Sequence, residues 1–281
     1  MIIDAHVHIC PPEVRDNREV YLPDEPEFAA IYKDPKAKLV GATELIQTLD
    51  EQGVDKAVVF GFPWRKEDNF RLNNDYVLEA AQRFPDRLIP LACFDATHPQ
   101  AMQETERCLQ AGTRGVGELA FYSTGIDEQA RQALIPLARL CAEAKALVSL
   151  HTNEPIGHAY PSKSPMTLSQ LYSLLQATPD TRWILAHLGG GLPFYAYLKK
   201  EVREVLTNVW FDTAAMPFLY RPKALGAMAE AVGLDKLLLG TDFPLLSPKR
   251  YFREFENSEL DQKELQAVLG LNAAKLLQVE S

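Results

Sequence analysis

Eight short apolar stretches, each followed by a helical pattern, recur along the chain, and this alternation restricts the available folds more than any other feature. The strand-like stretches cover residues 2–9, 56–62 (KAVVFGF), 87–94, 113–120 (TRGVGELA), 146–152, 181–188 (TRWILAHL), 208–213 and 236–242 (KLLLGTD). In the first, Ile2, Ile3, Val7 and Ile9 supply the β-branched residues that a buried strand favours. Helical patterns lie between them. One is capped by Thr43 and carries Leu45, Ile46 and Leu49 on one face. Others follow at 73–84, 100–111, 127–144, 167–177, 194–206 and 222–232, and the last opens at the capping-box pattern Asp261-Gln-Lys-Glu264 and runs to Gln278. Pro136 lies inside the 127–144 pattern and predicts a kink or a restart there.

Consecutive strand–helix–strand units imply parallel strands, and eight of them close most naturally as a (β/α)8 TIM barrel. An open doubly wound sheet would want a GxGxxG turn after the first strand, which this chain lacks. The segment 10–42 is rich in proline and charge and too long for an ordinary loop. It predicts a lid or rim insertion after strand 1 that distorts the barrel. No linker or low-complexity stretch divides the sequence, so residues 1–281 are expected to form one domain.

Composition narrows the partners. A formal net charge of −9 disfavours nucleic acid and anionic membranes, both of which need clustered Lys and Arg. Cys10, Cys93, Cys108 and Cys141 form no CxxC pair and read as reduced thiols of a cytoplasmic protein. No apolar run approaches the roughly 20 residues of a membrane span. The first strand starts almost at Met1, so no removable leader is expected. A homo-oligomer is compatible with these data.

Active sites of (β/α)8 barrels lie at the C-terminal ends of the strands. Candidate chemical residues should therefore sit late in their strands, and they do. His6 and His8 are one residue apart on strand 1, so alternation turns both side chains the same way. Glu118 is late in strand 4, His151 ends strand 5, His187 ends strand 6 and Asp242 ends strand 8. These nitrogen and oxygen donors suit a divalent metal: Zn²⁺ in the first instance, with Mn²⁺ or Fe²⁺ as alternatives. His6, His8, His151 and Asp242 form one candidate ligand set that leaves a position for water, and Asp242 is placed to take that water's proton. His187 is a second-metal ligand, or a group that polarises substrate or positions water. Glu118 reads as a ligand or metal-proximal base, since a barrel-strand carboxylate needs a partner.

The pattern DAHVHI…GVGEL…LHTNEPIGHAYP…AHLGGG…FDTA…GTDFP resembles the amidohydrolase superfamily, in its amidohydrolase-2 branch, over the span His6 to Pro244. That branch includes aromatic-acid decarboxylases as well as hydrolases. The resemblance implies metal ligation by His6, His8, His151 and Asp242, with His187 as catalytic or metal-binding partner. Glu118 departs from the one-metal decarboxylase pattern and resembles the strand-4 carboxylate of TatD-like nucleases and related two-metal hydrolases.

The expected function is therefore a metal-dependent hydrolase acting on a small carboxylated ester, lactone or amide, with one or two ions. The alternative is a metal-dependent decarboxylase of an unsaturated or aromatic acid. A TatD-like nuclease and a non-catalytic binding barrel rank below both. Loops on the active-site side supply candidate substrate contacts: Arg65 after strand 2; His158, Tyr160 and Lys163 after strand 5; Tyr220 and Arg221 after strand 7. A cation among Arg65, Lys163 and Arg221 would suit an anionic small molecule. Asp212 ends strand 7, where the default reading is a solvated loop residue.

Overall fold

The computed structural model describes residues 1–280. Eight strands alternate with helices: β1 (Ile3–His8), β2 (Lys56–Phe60), β3 (Leu88–Pro90), β4 (Gly115–Leu119), β5 (Leu147–Leu150), β6 (Arg182–Leu185), β7 (Val209–Asp212) and β8 (Leu237–Leu238). Every pairing is parallel, in the runs β1-β2-β3 and β4-β5-β6-β7-β8. Two seams join the runs. Ala92, just past β3, bridges to Val116, and Gly117 N–H donates to Ala92 O at 2.7 Å. Val7 bridges to Phe243, just past β8, where Asp242 N–H donates to His6 O at 3.0 Å and His8 N–H to Phe243 O at 2.8 Å. The sheet therefore closes on itself as the expected (β/α)8 barrel.

Ile3, Ala5, Val58, Phe60, Ile89, Leu91, Leu147, Ile184 and Leu238 form one buried cluster. They come from strands on opposite sides of the ring, so they meet through its interior. The ring of Phe60 touches those of His6 and His8, with centroids 4.9 and 4.8 Å apart, so the polar cluster rests directly on this apolar floor. Val7, Ile9, Ala57, Val59 and Leu88 instead pack outward with Leu45, Leu49 and Val77 of the surrounding helices.

Several boundaries differ from expectation, each for a local reason. Strand β6 stops at Leu185 because the backbone from His187 to Gly191 is left-handed throughout, with φ between 54° and 90°. Gly190 is required there. A Cβ on it would lie 2.3 Å from Asn153 O, at φ +61°. After this turn the expected 194–206 helix shrinks to Lys200–Val205. The helix expected at 73–84 starts earlier, at Glu67. The buried carboxylate of Glu25 accepts from Arg65 N, Lys66 N and Asn69 Nδ2 at 2.7–3.0 Å, a cap supplied from 40 residues away. Thr43 is not a cap: its helix spans Ala42–Gln52, and Ala42 N donates to Tyr76 Oη. The Glu128–Glu143 helix runs through Pro136 without restarting. The Asp261–Glu264 capping box forms as expected.

The insertion after β1 is largely helical. It carries helices Pro12–Asp16, Arg18–Tyr21 and Pro26–Tyr32. A further helix, Pro248–Phe255, follows β8 and was not foreseen. No helix among the described residues is long and apolar enough to cross a membrane.

Candidate metal centre

The C-terminal rim gathers all six predicted residues. His6, Glu118, His151 and His187 are buried, while His8 and Asp242 are each 16% exposed at their side chains. They fall into two groups that share Glu118. In one, Glu118 Oε2 lies 3.6 Å from both His6 Nε2 and His8 Nε2, and Asp242 Oδ1 lies 3.7 and 3.3 Å from the same nitrogens. In the other, Glu118 Oε1 lies 3.0 Å from His151 Nδ1 and 3.5 Å from His187 Nε2, which are themselves 3.1 Å apart. Donors about 2.0–2.2 Å from a common ion stand roughly 3.3–3.6 Å from one another in a tetrahedron, so both groups have the spacing of a coordination shell. The expectation that His151 shares a sphere with His6, His8 and Asp242 is modified, because His151 faces His187 across the other carboxylate oxygen. The parity of Val116-Gly117-Glu118 turns Glu118 inward.

Hydrogen bonds on the far side of each ring fix where its lone pair points. His6 Nδ1–H donates to Asp212 Oδ2 at 2.9 Å, and His8 Nδ1–H to Gly61 O at 3.1 Å. His151 Nε2–H donates to Ser162 O at 3.0 Å, and His187 Nδ1–H to Ala214 O at 2.9 Å. Each of these partners can only accept, so each neutral imidazole turns a bare nitrogen towards Glu118. Four lone pairs and two carboxylates then converge with no donor between them. His6 Nε2 is buried and has no hydrogen-bond partner among the described residues. A divalent cation satisfies every one of these atoms, and the outward hydrogen bonds are those that orient metal-binding histidines. The donor set therefore fits one or two ions.

The electrostatics agree. Burial disfavours a charged His6, yet Asp212 and Glu118 outweigh it and raise its pKa to about 10. Burial alone would raise Glu118, but His6 and His151 hold it well below the usual carboxylate range. Asp242 is also opposed by burial, and its contact with His8 together with the charge of His6 brings it to about 2. His187 is raised despite burial, through its contact with Glu118. The pocket thus draws positive charge.

Two supporting carboxylates escaped the sequence reading. Asp212 is fully buried rather than solvated. Besides His6 it accepts from Ala214 N at 2.9 Å and His187 N at 3.3 Å. Asp4 is also buried and accepts from Thr241 Oγ1 at 2.5 Å and Thr241 N at 3.0 Å, which ties β1 to the loop bearing Asp242. Gly240 makes this approach possible, since a Cβ there would sit 2.8 Å from the Cβ of His6 and 3.0 Å from that of Asp212. Sequence offered only one signal for these residues, acidic side chains at strand ends where burial demands a partner.

A cavity of about 610 Å³ opens above the cluster. Its walls include Tyr32, Phe62, Tyr122 and Phe218, with His158 and Tyr160 from the loop after β5. The other expected substrate contacts lie elsewhere. Arg65 is exposed with its Nε 4.0 Å from Asp95, Arg221 is exposed, and neither lines the cavity. Lys163 Nζ is taken by Glu154 Oε1 at 2.8 Å, and Tyr220 Oη by the backbone oxygen of His187 at 3.1 Å. The cations at the mouth are instead Lys36 and Lys38, from the insertion after β1. Arg18 holds their turn, donating to Ala37 O at 2.8 Å and Tyr32 O at 3.3 Å.

A closed parallel barrel with imidazoles and carboxylates gathered at its C-terminal rim defines a class of metal-assisted barrel enzymes. The chain belongs to the amidohydrolase family: residues 3–279 match the family model of the amidohydrolase-2 type. No curated protein matches it by sequence. Solved structures do. One is 5-carboxyvanillate decarboxylase from Novosphingobium aromaticivorans, complexed with manganese and 4-hydroxy-3-methoxy-5-nitrobenzoic acid, at TM-score 0.77 and 16% identity, covering 99% of this chain and 96% of that one. Another is 2,6-dihydroxybenzoate decarboxylase from Rhizobium, at TM-score 0.73 and 16% identity, covering 99% and 98%. A third is 4-oxalomesaconate hydratase from Rhodopseudomonas palustris, at TM-score 0.66 and 18% identity, covering 99% and 96%. At these identities the likeness establishes the fold.

Proposed function

We propose that this protein is a metal-dependent hydrolase of a small carboxylated ester, lactone or amide, with divalent ions held on either side of Glu118. The observation that carries this reading is the Glu118 carboxylate, which turns one oxygen to His6 and His8 and the other to His151 and His187. Ions held there would supply Lewis acidity and would make water a nucleophile near neutral pH. Zinc and manganese both suit this nitrogen and oxygen set. Asp242 stays ionised, is the more exposed of the two carboxylates, and accepts the proton of the attacking water. Asp242 then passes that proton to the leaving group, while His187, anchored through Ala214 O and Tyr220, would hold an ion together with His151. Lys36 and Lys38 favour an anionic substrate at the mouth.

Decarboxylation of an unsaturated or aromatic acid is the second reading, and the comparisons favour it over hydrolysis, since the similar solved structures include aromatic-acid decarboxylases. Aromatic walls suit a flat acid, and protonated His187 would deliver the proton to carbon. A nuclease reading has little support from a net charge of −9. Family membership sets aside a non-catalytic barrel. Metal analysis of wild type and Glu118→Gln, with assays on ester, lactone and hydroxybenzoate panels, decides between the two. The hydrolase reading expects two ions in wild type, fewer in the variant, and a loss of hydrolysis of about 100-fold or more. One ion per chain with CO₂ release and no hydrolysis would overturn it.

A further inference from the structure

The cavity holds two phenols whose hydroxyls have no hydrogen-bond partner among the described residues. Tyr32 closes the helix Pro26–Tyr32 of the insertion, and Tyr122 follows β4 four residues after Glu118. Phe62 stands between them, with ring centroids 5.9 Å from Tyr32 and 6.2 Å from Tyr122. Phe28 packs on Tyr32 at 4.8 Å, and Tyr122 meets the ring of His151 edge-on at 4.9 Å. Both rings are fixed by aromatic neighbours, and both line the cavity alongside His8, Glu118, His187 and Asp242.

Neighbouring tyrosines spend their hydroxyls inside the protein. Tyr160 donates to Glu154, Tyr220 to His187 O, and Tyr251 to Thr241 O. Neither the Tyr32 nor the Tyr122 hydroxyl has a hydrogen-bond partner among the described residues, and neither is a sealed-off buried atom. Each hydroxyl is therefore open to the cavity, and a bound molecule that covers it without accepting its proton would leave it unpaired at a cost. The cluster beneath them presents no N–H or O–H to a substrate's oxygens, because its ring N–H groups point outward. Phenols are neutral donors and supply what the cluster lacks.

We propose that Tyr32 and Tyr122 form a donor pair that holds a carboxylate or carbonyl oxygen of the substrate above the imidazole and carboxylate cluster. This rests on the reading of the cavity as a site for a small carboxylated molecule. The test is calorimetric titration of benzoate into the manganese-loaded wild type and into Tyr32→Phe and Tyr122→Phe, with Tyr195→Phe, a surface position outside the cavity, as control. Each cavity variant should bind benzoate about tenfold more weakly, the worth of one hydrogen bond to a charged group, with metal content and melting temperature unchanged. The control should match wild type. Wild-type affinity in both cavity variants, or a loss confined to one of them, overturns the pair while leaving the carboxylate site standing. Metal lost along with benzoate shows a structural role and also overturns it. A wild type that does not bind benzoate overturns the carboxylate-site reading and the pair with it.

Discussion

Asp212→Asn tests the claim that hydrogen bonds on the outer side of the rings aim their lone pairs. Asp212 Oδ1 accepts from the amides of Ala214 and His187, and Oδ2 accepts from His6 Nδ1–H. An asparagine keeps its oxygen on the two amides and presents its NH₂ to His6, where donor then meets donor. The imidazole relieves this by moving its proton to Nε2, the atom that faces Glu118 and Asp242. The lone pair is lost from the cluster. Removing such an orienting partner typically costs about 10–100-fold in metal affinity, or about 1.4–2.7 kcal/mol. At saturating metal the same free energy leaves the metal-dependent part of the stability. At about 2 °C per kcal/mol for a chain of this size, the rise in melting temperature on adding metal should shrink by about 3–5 °C. Competition with a chromophoric chelator gives the affinity, and thermal denaturation with and without metal gives the shift. A variant that binds the ion as tightly as wild type would refute the tautomer argument.

Two further changes probe the scaffold under the site. Burial raises the Asp4 carboxyl to about 7, against the hydrogen bonds from Thr241. A pKa above the ordinary 3.8 means stability that is fully present below pH 3.8 and lost as pH rises through about 7, so Asp4→Asn should flatten this part of the metal-free stability curve, and an unchanged slope between pH 4 and 7 counts against it. Gly190→Ala places a Cβ 2.3 Å from Asn153 O at a left-handed φ, and should cost about 2 kcal/mol or more in denaturant unfolding; a change below about 0.5 kcal/mol would show that the turn can relax.

The barrel was legible because its determinants are local. Runs such as Lys56–Phe60 and Arg182–Leu185 announce themselves as strands, and the rule that chemistry sits at strand ends then selects His6, His8, Glu118, His151, His187 and Asp242 from one sequence. What stayed hidden depends on contacts between distant segments. Glu25 caps a helix 40 residues on, so that helix starts before its own periodicity does. Asp212 looked like any strand-end acid, because its partner is 206 residues away. In the left-handed run at His187–Gly191, Gly190 is required by the backbone of Asn153, a contact its own sequence neighbourhood does not announce. Arg65 and Arg221 follow strand ends, as rim residues should, but a loop's exit direction decides whether its side chains face the cavity, and here they do not. Lys36 and Lys38 reach the mouth because Arg18 folds the insertion back over it.

The charge balance of the cluster leads to one more measurable consequence. Glu118 and Asp212 are buried and Asp242 nearly so, and unpaired buried carboxylates are costly. Without a metal the compensating charge must come from protons. His6 is the first to take one, since Asp212 and Glu118 raise it to about 10, and His187 is raised as well. At pH 7.5 the metal-free protein therefore carries at least one proton on a nitrogen that a cation would occupy. An ion cannot share a lone pair with a proton, so binding must displace it. Calorimetric titration of zinc or manganese in buffers of different ionisation enthalpy should show a binding heat that varies linearly with that enthalpy, with a slope of about one released proton or more per chain. Above pH 10 the slope should fall, because His6 then starts out neutral. A binding heat independent of buffer at pH 7.5 would mean that the ion enters without displacing a proton, and that the inward lone pairs are not where it binds.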